Sequence, residues 1–446
     1  LILRGVTCLT MDRKRTVIEA DIRIDRRGRI AALLPPGRGG SRGEEEVFLP
    51  GRIAIPGLVQ THVHLCQTIM RGLADRLPLS LWLRSRIWPL EAAHDASTVE
   101  ASAALGLLEL ATGGTTAILD MGTTRHTEAI LRAAERSGLR VVTGTALMDE
   151  GRGVPRSLLR EVGDALAETE RLLRAKRSKR VGLCLAPRFI PSVSERGWRA
   201  VVAMARRHDL LIHTHACETR TEVEMVRRKT GSTPFVYLDR IGAAGRRLRA
   251  AHAIWLSAAD RAVLKRTGSA VVHCPGSNAK LGSGTADVRS LRRAGVPVGI
   301  GCDGAACNNR LDLLEEMRRA ASAIAALHGP AAVDPSEILA MGTIDGARLL
   351  RMEQEIGSIE PGKAADLTIL NPAAAPGMCP SGPDPHGRVL YGAGREHVEQ
   401  VWVEGRMIVK RGRMAGFPAA TILRDAGQAA HKIQERMEAR CRSRSR

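Results

Sequence analysis

The chain has 446 residues, 44% of them hydrophobic, enough to bury a large core and build more than one domain. That composition excludes a disordered or fibrous chain, and no run approaches the ~18 apolar residues a membrane-spanning helix needs. The net charge of +20 comes with only 2% aromatic residues. Its excess is mostly arginine spread along the whole chain, as at Arg132, Arg206, Arg261 and Arg318. A binder of single-stranded nucleic acid would gather that charge on one face and add aromatic rings for stacking, so no specific nucleic-acid partner is expected.

Residues 1–54 alternate apolar and polar positions and turn at "DRRGR" and "PPGRGGSRGEE". They read as short antiparallel strands, and the opening stretch as a strand rather than a signal peptide. From Ile53 the pattern changes to short apolar runs separated by helical stretches. The runs are "IAIPGLVQTHVH", "TTAILDM", "LRVVTGTAL", "RVGLCLAP", "LLIHTHA", "LRAAHAIWL", "SAVVHCP" and "VPVGIGCDG". Near-continuous apolar strands with helices between them imply a parallel sheet covered on both faces. Eight such units predict a closed TIM-like (β/α)8 barrel over 55–355. Short strands return in "GSIEPGKAADLTILNP" and "VEQVWVEGRMIVKRGRM". The two chain ends, 1–54 and 356–420, are expected to pair as a small composite β-sandwich, followed by a helix and basic tail over 421–446. The fold class is thus α/β. Nine cysteines without paired spacing suit reduced thiols in a cytoplasmic protein.

In "PGLVQTHVHLCQT" the residues His62 and His64 stand two apart, so a strand points both rings to one face. Polar residues recur at later strand ends: His213, His215 and Glu218 in "LLIHTHACE", His252 in "AAHAIWL", and Asp303 in "VGIGCDGAACNN". In such a barrel the C-terminal strand ends converge on one pocket. His62, His64, His215 and Asp303 would then meet. Three imidazoles and a carboxylate, with a position left for water, make a catalytic rather than a structural metal site.

These motifs, with "RGLADRLPLSLWLRSRIWPLEAAH", "HCPGSNAKLGSG" and "GSIEPGKAADLTIL", resemble the amidohydrolase superfamily, in the branch of chlorohydrolases and nucleoside or nucleobase deaminases. The resemblance runs essentially the full length and implies the same barrel and composite sandwich. It implies metal ligands at His62, His64, His215 and Asp303, an acid/base at Glu218, and a water-contacting histidine at His252, with Asp303 serving also as base. The fourth strand, "RVGLCLAPRF", has no lysine to bridge two metals. One divalent metal is therefore implied, zinc first and iron as the alternative. The His-x-Glu with Pro-Cys-x-x-Cys signature of the other zinc deaminases is absent.

For the substrate, the resemblance offers two sets of residues. Glu91 in "WPLEAAH" aligns with a glutamate that holds ribose hydroxyls in adenosine and S-adenosylhomocysteine deaminases of this branch, and Trp82 with a tryptophan lining that pocket. They imply a 5'-modified adenosine. Gln67 and Arg188 resemble a Gln–Arg pair that reads carbonyls in guanine and 8-oxoguanine deaminases, which keeps those, and s-triazine hydrolases, as the alternatives. A non-enzymatic metal or nucleic-acid binder would need neither Glu218 nor His252. The expected partner is a purine-like small molecule, within a homo-oligomer and away from membranes. His213 reads as a packed strand histidine, His273 as a pocket residue without a role, Asn278, Asn308 and Asn309 as loop-fixing groups, and Cys66, Cys274 and Cys302 as structural.

Overall fold

The computed structural model describes residues 1–38 and 43–444, with side chains as far as 439. The middle of the expected turn, 39–42, and the end of the basic tail lie outside the described residues. Four strands open the chain: β1 (Ile2–Leu9), β2 (Val17–Ile24), β3 (Ile30–Leu34) and β4 (Glu46–Pro56). The barrel strands follow: β5 (Leu58–His64), β6 (Thr115–Asp120), β7 (Arg140–Leu147), β8 (Val181–Pro187), β9 (Ile212–Ala216), β10 (Leu248–His252), β11 (Ala270–His273), β12 (Val298–Ile300) and β13 (Asp303–Gly304). The chain closes with β14 (Leu367–Leu370), β15 (Val398–Val403), β16 (Arg406–Lys410), β17 (Arg413–Met414) and a helix over Ala419–Arg444.

From β5 to β12 each strand pairs in parallel with the next, as in Val59↔Ala117, Ala250↔Thr214 and Val272↔Gly299. β12 and β13 are one interrupted eighth strand, and Asp303↔Val63 closes the ring. Gly301, in the interruption, lies against the first strand: a Cβ there would meet the His62 backbone and Cβ at 2.7–2.9 Å. The barrel strands are buried along nearly their whole length, as a sheet covered on both faces requires. The run "IAIPGLVQTHVH", expected as one strand, is divided. Its first part ends β4 in the other sheet, and its second part is β5. The change of sheet falls at Gly57, where a Cβ would strike the Thr116 side chain at 2.2 Å.

The chain ends form a second sheet in the order β17-β16-β15-β14-β4-β1-β2-β3. It folds back on itself, because Ile30 N–H donates to Lys363 O and Ala365 N–H to Gly28 O, both at 2.8 Å. Leu3, Ile22 and Ile30 thereby share a core with Leu367 and Trp402 from the other chain end. A buried ion pair joins the two sheets: Arg140 Nε donates to Asp366 Oδ2 at 2.7 Å. The final helix packs Ala426, Ala429 and Ile433 against Trp82 and Leu90. Its Arg436 reaches Ala93 O and Asp95 Oδ2, and so braces the 79–95 segment beside the barrel mouth. No helix among the described residues is long and apolar enough to cross a membrane.

Candidate metal centre and active site

Strand ends carry the polar cluster. His62 and His64 project from β5, His215 from β9, and Asp303 opens β13. One ligand atom from each lies within 4.8 Å of the others. His62 Nε2 and His64 Nε2 stand 3.3 and 3.4 Å from Asp303 Oδ1, and His64 Nε2 is 3.2 Å from His215 Nε2. Burial pulls all three imidazoles below their ordinary pKa, so they are neutral and have lone pairs to give. Burial pushes the Asp303 carboxyl up, but the imidazoles of His62, His64 and His252 grouped around it outweigh that and hold the group well below the usual carboxylate range.

The donor set fits a divalent cation on two structural grounds. His62 Nε2 is buried with no hydrogen-bond partner of its own, and facing nitrogen lone pairs need a cation or a proton between them. Outer partners orient these side chains, the arrangement usual around metal-binding histidines. His215 Nδ1 donates to Arg188 O at 2.6 Å, which leaves its Nε2 free. Ser277 Oγ donates to Asp303 Oδ2 at 2.7 Å, and His62 Nδ1 lies 2.7 Å from His213 Nε2.

His252 and Glu218 flank this group. His252 Nε2 is 3.6 Å from Glu218 Oε2 and 3.9 Å from Asp303 Oδ2, while Nδ1 donates to Asn278 Oδ1 at 2.8 Å. His252 and Asp303 both take left-handed φ values, 76° and 60°. Side chains other than glycine rarely do so, and such strain gathers at functional sites. Burial pushes the Glu218 carboxyl up to about 7. Ser283 Oγ donates to Glu218 Oε1 at 3.2 Å. The turn that carries Glu218 is tied by Glu222, whose carboxylate accepts the backbone N–H groups of Cys217 and Glu218 at 3.2 and 2.7 Å. Sequence reasoning missed Glu222, Ser277 and Ser283, and it gave Asn278 only a loop role. The signal for Ser277 and Asn278 is their place in "HCPGSN", directly after a barrel strand.

A cavity of about 360 Å³ opens over the cluster and is lined by Gln67, Trp82 and Arg188 as well as Glu218, His252 and Asp303. Glu91 is not among its lining residues. It is buried beside it, and the Arg188 guanidinium grips its carboxylate with both Nη atoms, Nη2 to Oε1 at 3.0 Å. Gln67 Nε2 donates to the same carboxylate at 2.8 Å. The two residue sets that point to different substrates are therefore one hydrogen-bonded unit. Gln67 Oε1 and Trp82 Nε1 are buried without partners. His273 is buried, and neither of its ring nitrogens has a partner. Asn308 Nδ2 donates to Cys302 O and Glu316. Burial pushes the Cys66, Cys274 and Cys302 thiols well up, which makes them poor nucleophiles.

A (β/α)8 barrel with a histidine–carboxylate cluster at its C-terminal strand ends defines a metal-dependent hydrolase. The chain belongs to the amidohydrolase family, whose sequence model matches residues 53–408. The 5'-deoxyadenosine deaminase of Methanothermobacter thermautotrophicus is 36% identical over 387 residues, 86% of this chain and 88% of its own. The 5-methylthioadenosine/S-adenosylhomocysteine deaminase of Haloarcula marismortui is 36% identical over 425 residues, 94% of this chain and 96% of its own. Among solved structures, a zinc-bound adenosine deaminase from Xanthomonas campestris superposes with a TM-score of 0.89 at 30% identity, covering 97% of this chain and 98% of its own.

Proposed function

We propose that this protein is a hydrolytic deaminase of an amino-substituted purine, with a 5'-modified adenosine as its first substrate class. 5'-Deoxyadenosine, methylthioadenosine and S-adenosylhomocysteine would each give the inosine analogue and ammonia. The observation that carries the reading is the convergence of His62, His64, His215 and Asp303 within 4.8 Å beneath a cavity that Glu218 and His252 also line. The names of the relatives support the nucleoside.

His62, His64, His215 and Asp303 would hold one zinc ion. A divalent cation there supplies Lewis acidity that brings the pKa of a neighbouring water to about 7. Asp303 takes the proton of the attacking water. His252, fixed through Asn278, orients that water and stabilises the charge that develops. Glu218, whose burial lets it keep a proton near neutral pH, gives that proton to a ring nitrogen and makes the adjacent carbon electrophilic. As the carbonyl forms, Glu218 takes back the hydroxyl proton, and Asp303 passes the proton it took from water to the departing amine, which leaves as ammonia. Trp82 packs against the substrate, and the unpartnered Gln67 Oε1 accepts a hydrogen bond from it. Glu91 receives the ribose hydroxyls after exchanging part of its bond to Arg188.

One observation favours a second reading, a guanine or 8-oxoguanine type base deaminase: Gln67 and Arg188 line the cavity and Glu91 does not. Ammonia release on a panel of 5'-modified adenosines, guanine, 8-oxoguanine and an amino-s-triazine separates the two. The first reading expects turnover of the adenosines. Ready turnover of guanine with none of the adenosines would replace it with the second.

A further inference from the structure

We infer that His213 is a positioning residue: its ring fixes the tautomer of His62 and so presents the His62 Nε2 lone pair to the other three ligands. The inference rests on the reading of this cluster as a metal site. His213 stands two residues before His215 in β9, so strand alternation turns both rings toward the barrel axis. It is fully buried, its Nε2 is 2.7 Å from His62 Nδ1, and the two rings meet edge to face at 89°.

One proton must lie between those nitrogens, because two lone pairs or two N–H groups would repel at that distance. Two arrangements supply it. If His62 donates, its proton sits on Nδ1 and its Nε2 is a bare lone pair. If His213 donates, a neutral His62 carries its proton on Nε2 and aims an N–H at Asp303 Oδ1, 3.3 Å away. That second arrangement closes the site to a cation. His62 Nε2 makes no hydrogen bond of full geometry, which agrees with the first. On its far side the His213 ring feels the backbone carbonyl of Asp120, a group that can only accept. No full hydrogen bond forms there, so the carbonyl biases the His213 proton toward Nδ1 without clamping it. His213 Nε2 is then left as an acceptor. Asp120 is itself tied to the end of β5, since its carboxylate accepts Leu65 N–H at 2.8 Å and the Thr143 hydroxyl at 2.6 Å. The proposed order puts one proton on His213 Nδ1 and the next on His62 Nδ1, 2.7 Å from His213 Nε2.

Competition with a chromophoric chelator, on the full chain, reads zinc affinity directly. His213→Leu fills the space but cannot accept, and should bind zinc about 10- to 100-fold more weakly, the usual effect of losing an outer partner of a ligating histidine. His213→Gln offers Oε1 to the His62 N–H and should recover most of the affinity. Wild-type affinity in His213→Leu overturns the inference, and so does an equal loss in both variants, which would make the residue packing alone. Nitrogen-15 shifts of the wild-type rings decide the matter even if the leucine variant fails to fold. Protons on Nδ1 of both rings are expected, and a proton on His213 Nε2 overturns the inference. A wild-type chain that binds no zinc defeats the metal reading itself. Wild type is measured first, so the two failures are distinct.

Discussion

Replacing Glu91 by alanine should strand the guanidinium of Arg188, and the size of that effect follows from burial. Arg188 and Glu91 are 6% and 7% exposed, and the carboxylate accepts from both Nη atoms of the arginine. Removing one partner of a buried ion pair costs about 3–5 kcal/mol, because the other charge is left without compensation. Arg188 lines the cavity, where water can reach it, so the lower end applies, about 3 kcal/mol. For a chain of 446 residues, an unfolding entropy of about 2.1 cal/mol/K per residue turns this into a Tm loss of about 3 °C. Arg188→Met keeps most of the apolar stem and removes the charge. The double variant should therefore be more stable than the sum of the two single losses predicts, by a coupling of about 2 kcal/mol, within the range seen for contacting residues. Differential scanning calorimetry on the four proteins measures the cycle. Simple additivity would refute the argument that Glu91 serves to hold Arg188. The same Glu91→Ala variant should lose roughly ten- to a hundredfold in kcat/KM for a 5'-modified adenosine, through lost charge-assisted hydrogen bonds of about 1.5–3 kcal/mol. The 2',3'-dideoxy analogue should change little.

Two further outcomes are expected. Glu218→Gln should keep its metal and lose about 10²–10⁴-fold in kcat, because an amide cannot carry the proton; a variant with near wild-type kcat would remove Glu218 from the mechanism. Asp95 caps the helix Ala96–Thr112 and accepts from Thr98 N–H and Arg436. Burial pushes its carboxyl up, but those hydrogen bonds outweigh it and hold it below the ordinary range. A depressed folded pKa gives stability that is present above the unfolded value of about 3.9 and is lost as pH falls below it. Asp95→Ala should cost about 0.5–2 kcal/mol at pH 7, and urea unfolding should show that difference shrinking as the pH is lowered through about 4.

The sequence carries the barrel because each strand is a short apolar run and each run ends in a turn or a polar residue. It carries the meeting of His62, His64, His215 and Asp303 because strand ends in a closed barrel share one rim. It does not carry the break at Gly57, since a strand that changes sheets keeps the same apolar pattern, and only the approach of Thr116 gives it away. Nor does it carry the pairing of Glu91 with Arg188. These residues are 97 positions apart, and nothing in either local pattern records which side chain faces which across the cavity. His213 is the subtler case. Its alternation with His215 is plain, but an apolar-run histidine looks the same whether it merely fills space or contacts a ligand. The contact depends on the placing of β9 relative to β5, across the barrel interior.

The proposed chemistry requires one cation held by His62, His64, His215 and Asp303. Metal-free protein titrated with zinc, with ammonia release from 5'-deoxyadenosine measured at each step and bound zinc counted by elemental analysis, tests this directly. Turnover should rise linearly and stop at one equivalent per chain, and His215→Ala should neither bind that equivalent tightly nor turn over. A plateau at two equivalents, or full turnover by the metal-free chain, would contradict the account.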